Sequence, residues 1–127
     1  MGTRCRIAVR ESDGPWRSIY VHHDGYPTEW VVGYHLKESY QSIEEARDLI
    51  ALGDLSTLEK SLSKTVAYYR DWNEKAELTR PVTHDDEASV YSRATATGAH
   101  YLYLKDGDKP WQCFKNNREG DWKCIPL

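Results

Sequence analysis

Cysteine is sparse in this sequence and unpaired by spacing: Cys5, Cys113 and Cys124 are odd in number and form no CxxC motif. Neither a disulfide framework nor a zinc knuckle is indicated, and reduced thiols in a cytoplasmic protein fit best. Long hydrophobic runs are missing as well. No stretch approaches the ~20 apolar residues that span a bilayer, and no continuous apolar segment of the signal-peptide kind opens the chain. None of the eight glycines falls in a GxGxxG or GxxxxGKS/T pattern, so dinucleotide and phosphate-loop folds have no signature here. A GxSxG elbow and an HExxH pair are also absent, and no Cys stands near a His in a catalytic context. An excess of basic charge is lacking too. Seventeen Lys and Arg face twenty Asp and Glu, for a formal net charge of −3. Duplex-binding proteins carry the opposite sign, so nucleic acid is not expected as a direct partner.

What is present is aromatic. Aromatic residues make up 12% of the chain, with five Trp and nine Tyr beside a single Phe. Each ring can bury on the order of 150–250 Å², so these side chains must supply much of the core. Their polar handles also suit a half-exposed binding face. At 127 residues the chain matches one domain, 1–127, with one modest core. No repeat, low-complexity segment or linker divides it.

The apolar period changes along the chain. Residues 4–10 (RCRIAVR) alternate, with Cys5, Ile7 and Val9 on one face, and 16–22 (WRSIYVH) do the same. The short DGP-containing link makes these two an antiparallel hairpin. Arg4, Arg6 and Arg10 share the other parity of the first strand; they could line a local basic patch, but the plainer reading is the solvated face of an edge strand. Thr28 with Glu29 predicts a helix running to about Tyr40. Ser42 and Glu45 form a capping box before the stripe Ile43, Ala46, Leu49 and Ile50, and Gly53 supplies the stop. Residues 54–64 read as loop or a helical turn, 66–72 (VAYYRDW) as a strand and 73–82 as an exposed loop. Thr83 is the expected cap of a third helix that Gly98 closes. HYLYL, WQCFK and WKCIP, separated by KDGDKP and NNREGD, read as a meander over 100–126.

The expected fold class is therefore α+β: a mainly antiparallel sheet of five or six strands with about three helices packed on one face. Its core should include Ile7, Val9, Ile19, Val21, Leu49, Ile50, Leu102 and Leu104, although alternation cannot choose between the Tyr and Leu faces of HYLYL.

Two clusters could carry chemistry. The first is His22, His23 and Asp24, which His35 or His84 could complete as a metal set. Adjacent residues of a strand point to opposite faces, so one site can use both histidines only if the strand ends there. The plainer reading makes Asp24-Gly25-Tyr26-Pro27 a turn, with Gly25 at positive φ. The second cluster is Tyr68, Tyr69, Arg70, Asp71 and Trp72. Its Arg–Asp pair and rings could hold a planar ligand such as a nucleobase, or could simply be an ion pair at a strand edge. Asp85, Asp86 and Glu87 fit a helix N-terminus by charge alone.

Several segments together resemble a family of small phage and prophage proteins. These are IYVHHDGYP (19–27), ARDLIALGDLSTL (46–58), YYRDWNE and a late YLYL…W pattern. The family reads I-Y-x-H-x-D-G-Y-P, then a helix ending L-I-x-L-G-D, then Y-x-R-D-x-G-E. This chain departs at Asn73, where the family often carries Gly. The resemblance implies a phage or mobile-element origin and action in a bacterial cytoplasm. It implies no enzyme class.

Small phage proteins often block a host or defence component by binding it. The first expectation is accordingly a non-enzymatic protein that binds and inhibits a bacterial host or anti-phage defence protein, such as a CRISPR-Cas component. The alternative is a small-ligand or nucleotide binder that sequesters a signalling nucleotide, built around Tyr20, His22, Tyr26 and Tyr69. A second alternative is a metal-dependent hydrolase using His22, His23 and Asp24. Candidate binding residues across these readings are Tyr20, His22, His23, Asp24, Tyr26, Tyr69, Arg70 and Asp71. No membrane partner is expected, and the sequence sets no oligomeric state.

Overall fold

A computed structural model describes residues 3–11, 13–28, 31–117 and 120–127. The chain opens with β1 (Cys5–Arg10) and β2 (Trp16–Val21), an antiparallel hairpin with Ile7 opposite Ile19. Two helices follow, α1 (Val32–Ser39) and α2 (Ile43–Ile50), and then the short strands β3 (Leu55–Thr57) and β4 (Val66–Ala67). Next come α3 (Tyr68–Trp72), α4 (Ala76–Thr79), β5 (Val82–His84) and α5 (Glu87–Ala96). The chain ends in β6 (Tyr101–Asp106), β7 (Gln112–Asn116) and β8 (Trp122–Ile125). These last three form the expected antiparallel meander.

All the strands join one sheet in the order β4-β3-β2-β1-β6-β7-β8, with β5 also on β2. The fold is α+β. Among the described residues, however, it has eight strands and five helices, and the sheet is mixed. β1 runs parallel to β6, and β2 runs parallel to β3. Helices cover both faces, not one. Cys5, Ile7, Val9, Ile19, Val21 and Tyr103 meet α1 and α2 on the first face. Ala8, Trp16, Leu102 and Leu104 meet Val90 and Ala94 of α5 on the second. The physical reason is the central place of β1 and β6, since a strand buried on both sides must carry apolar groups at both parities. The Tyr-or-Leu ambiguity of HYLYL is that signature: Leu102 and Leu104 serve one core, Tyr103 the other. All eight expected core residues are buried.

The rings use their polar handles inside. Tyr103 Oη donates to the Gly25 carbonyl at 2.7 Å, Trp111 Nε1 to the Tyr40 carbonyl at 2.8 Å, and Tyr40 Oη to the Glu59 carbonyl at 2.9 Å. Aromatic burial thus costs no orphaned donor at these positions.

The capping box on α2 forms as expected, with Ser42 and Glu45 bonding reciprocally at 3.1 Å. Gly53 takes φ +79° and lies so close to Thr79 that a Cβ would sit 2.4 Å from its carbonyl oxygen. Other expectations change. α1 begins at Val32, and Thr28 does not cap it; Glu29 and Trp30 lie outside the described residues, as do Arg118 and Glu119 of the last turn. The first amides of α1 find acceptors in the preceding turn instead, Val32 N on the Asp24 carbonyl at 3.2 Å and Gly33 N on the Tyr26 carbonyl at 3.0 Å. The expected strand 66–72 is strand only to Ala67. There the Asp71 carboxylate accepts the Ala67 amide at 2.8 Å and turns the chain into α3, a local cap that outweighs β propensity. The expected loop 73–82 holds α4 and the start of β5. Thr83 lies in β5, and Asp86 caps α5 by accepting the Ser89 amide at 2.8 Å. β1 is central, so the arginine parity read as a solvated edge is interior at its middle: Arg6 is 2% exposed, while Arg10 is half-buried and Arg4 exposed.

Candidate functional site

The second face of the sheet is apolar under α5 and polar beyond it. The boundary comes from how β2 shares its outer edge. β5 pairs with Trp16–Ser18, and β3 pairs with Val21. The edge between them has no strand partner, so the Tyr20 amide would be orphaned. The Asp54 carboxylate takes it at 2.9 Å. The Asp54 amide in turn reaches the Thr79 carbonyl at 2.7 Å, which ties the start of β3 to the end of α4. Where β3 and β5 part, a recess of about 580 Å³ opens, with Arg6, Asp54, Arg80 and Arg93 in its lining.

Arg6 forms one end of a buried hydrogen-bond chain. Its Nη1 donates to Ser18 Oγ at 2.7 Å. Ser18 Oγ lies 2.7 Å from His84 Nε2, and His84 Nδ1 lies 2.9 Å from Ser89 Oγ. Burial, then the nearby Arg6 and Arg93 charges, push the His84 pKa down, so the imidazole is neutral near pH 7. Burial also lowers the Arg6 pKa to about 10, against the pull of Asp54. The Asp54 carboxyl is raised by burial and lowered by the Tyr20 amide and the two arginines.

Tyr20 and His22, two candidates, do come together beside this recess: Tyr20 Oη is 2.7 Å from His22 Nδ1. His23 joins them, because β2 ends at Val21 and strand alternation no longer applies; the two imidazole centroids are 4.5 Å apart at 87°. The His23 Nδ1 stands 3.2 Å from the Ser56 carbonyl oxygen. Burial first, then His23 and Arg4, lower the His22 pKa. Asp24 is exposed and takes φ +57°. Gly25 does not have positive φ; its demand is closeness, since a Cβ there would lie 2.8 Å from both Cys5 Cβ and the Thr3 carbonyl oxygen.

The remaining candidates lie elsewhere. Tyr26 packs against Tyr101 at 6.0 Å, on the α1 and α2 side of the sheet. Tyr69 is exposed on α3. Arg70 and Asp71 bind each other through paired contacts of 3.0 and 2.9 Å, and Arg70 also donates to the Thr65 carbonyl. The Arg70 guanidinium, then the Ala67 amide, hold the Asp71 carboxyl below its ordinary range. Both side chains are spent on shaping α3. His35 is buried on the opposite face, with Glu59 Oε2 at 3.7 Å, while His84 belongs to the Arg6 chain. Among the described residues no group of three His, Cys, Asp or Glu stands close enough to hold a metal ion. The Cys5 and Cys113 thiols are buried, which raises both, Cys113 to about 12; Cys124 is exposed. No described helix is long and apolar enough to cross a membrane.

Sequence reasoning missed Arg6, Ser18, Asp54, Arg80 and Arg93 as neighbours. The usable signal was a strand whose two parities both had to be covered, which places Arg6 inside. Comparison with known proteins finds no family model matching the chain, and no curated protein or solved structure significantly similar to it.

Proposed function

We propose that this chain is a non-enzymatic interaction protein of phage origin that binds and inhibits a bacterial protein, with a component of anti-phage defence such as CRISPR-Cas as the target class. The observation that carries this reading is the outer face of α3 and α4. Tyr69 is 55% exposed, Trp72 56% and Leu78 72%, three large apolar side chains within ten residues on two helices that touch. Only Thr79 is buried on these two helices, so they contribute little to the core. Exposed Trp and Tyr ringed by charge are what protein interfaces use to concentrate binding energy. Glu74, Lys75 and Glu77 supply such a rim. The resemblance to small phage proteins supports the bacterial setting.

The test compares proteins retained from a bacterial lysate by wild type, by Trp72→Ala with Tyr69→Ser, and by Tyr26→Ser. Tyr26 is also exposed, at 45%, but lies on another surface and serves as the control. A genuine target is retained by wild type and the control. Its affinity should drop about tenfold or more in the double variant. Equal retention by all three removes the α3–α4 face from the reading.

A further inference from the structure

The recess between β3 and β5 carries an assignment of its own, argued from its arginines, and borders the protein-binding face at Glu77 and Leu78. The geometry points to an anion site there for an organic phosphate of nucleotide size, with Arg6 at its floor and Arg80 and Arg93 at its mouth.

The argument begins with Arg6. A buried arginine is normally matched by a carboxylate, because an unpaired charge in the interior is costly. Arg6 is 2% exposed, yet among the described residues no carboxylate oxygen lies within ion-pair distance of it. Its Nη1 is spent on Ser18, while its Nε is buried with no hydrogen-bond partner. Asp54, the nearest acid by its effect, already gives Oδ1 to the Tyr20 amide. Arg6 therefore brings to the recess lining a charge that no described carboxylate pairs, with its Nε sealed behind it.

Arg80 and Arg93 line the same recess, and among the described residues neither forms an ion pair. Three guanidiniums thus face two carboxylates, Asp54 and Glu77. Planar guanidinium forks match the oxygens of a phosphate, and a doubly charged group rewards more than one of them. The volume of about 580 Å³ exceeds what a lone phosphate fills and falls in the range of small-molecule sites. Leu78, Pro81 and Val82 give the rest of the ligand an apolar wall. The lining holds three arginines in one recess, which suits one small phosphate compound.

Calorimetric titration and thermal melts with adenosine 5′-monophosphate, adenosine and inorganic phosphate test this. Adenosine monophosphate should bind, raise Tm and outcompete inorganic phosphate, while adenosine should bind about tenfold or more weakly. Arg80→Gln with Arg93→Gln, both at exposed positions, should weaken the nucleotide about tenfold or more and leave the circular dichroism spectrum unchanged. Arg6→Met should abolish the nucleotide-dependent rise in Tm, with Ser18 still paired to His84. If Arg6→Met does not fold, the double variant decides alone. Absence of binding by wild type, binding undiminished in the double variant, or adenosine binding as tightly as its monophosphate would each overturn the assignment. Equal affinity for inorganic phosphate would overturn the nucleotide size. None of these outcomes bears on the Trp72 face.

Discussion

Gly25 shows how a residue can be structurally required for a reason other than the one its motif suggests. DGYP reads as a turn in which glycine provides positive φ, but that conformation falls on Asp24. Gly25 is needed because β1 passes directly over it. Its amide donates to the Thr3 carbonyl at 2.8 Å and its carbonyl accepts from Tyr103. Gly25→Val is therefore expected to destabilise the protein by about 1–3 kcal/mol or more, through overpacking against Cys5. His23→Ala removes the long ring-nitrogen contacts to the Ser56 carbonyl and hydroxyl, at 3.2 and 3.4 Å, and keeps the His23 amide bond to the same carbonyl, so about 1 kcal/mol is the upper expectation. Urea unfolding of both variants reads the contrast. Similar losses would mean that the close approach of β1 to the turn is not what fixes Gly25.

Among the elements, those specified locally were legible. The hairpin, the capping box of α2 and the meander follow from alternation, caps and turn residues lying within a few positions of each other. α3 was missed because VAYYRDW has the composition of a strand, while its conformation is set by Asp71 reaching back to Ala67. Asn73 then closes the helix at φ +54°. Gly and Asn are the residues that tolerate this region best. Asn73→Gly should leave stability nearly unchanged, whereas Asn73→Val should cost about 1–2 kcal/mol. Asp71→Ala should lower Tm and shift Trp72 fluorescence toward that of a fully solvated indole, since Trp72 leans on Tyr68 of the same helix at 5.1 Å. Retained fluorescence and Tm in Asp71→Ala would return Arg70 and Asp71 to the list of candidate ligand groups.

For the whole molecule, the sheet order was the part that sequence could not supply. Parallel pairing of β1 with β6 joins residues 96 apart, Arg10 with Asp106, and leaves no mark in either strand beyond apolar groups at both parities. From that one pairing follow the burial of Arg6 and the two cores, while the gap that forms the recess comes from β3 and β5 sharing the far edge of β2. It also fixes how stability depends on pH. His84, neutral and enclosed with Arg6 and Ser18, has its pKa below the ordinary 6.5. The unfolded chain then takes up a proton more readily than the folded one, so stability rises with pH across the interval between the two values. The contribution is complete above about 6.5 and is lost as pH falls through the folded pKa. His22 acts in the same sense. Asp54 opposes them at lower pH, because a carboxyl raised by burial is better protonated in the folded state. Unfolding free energies between pH values just above and just below the ordinary histidine range should therefore fall with acidity in wild type. The fall should be shallower in His84→Gln, whose amide can still meet Ser18 and which has no proton to gain. A slope unchanged by that substitution would show that His84 is not held neutral by the Arg6 chain, and the electrostatic account of the recess would need a different source for its acid sensitivity.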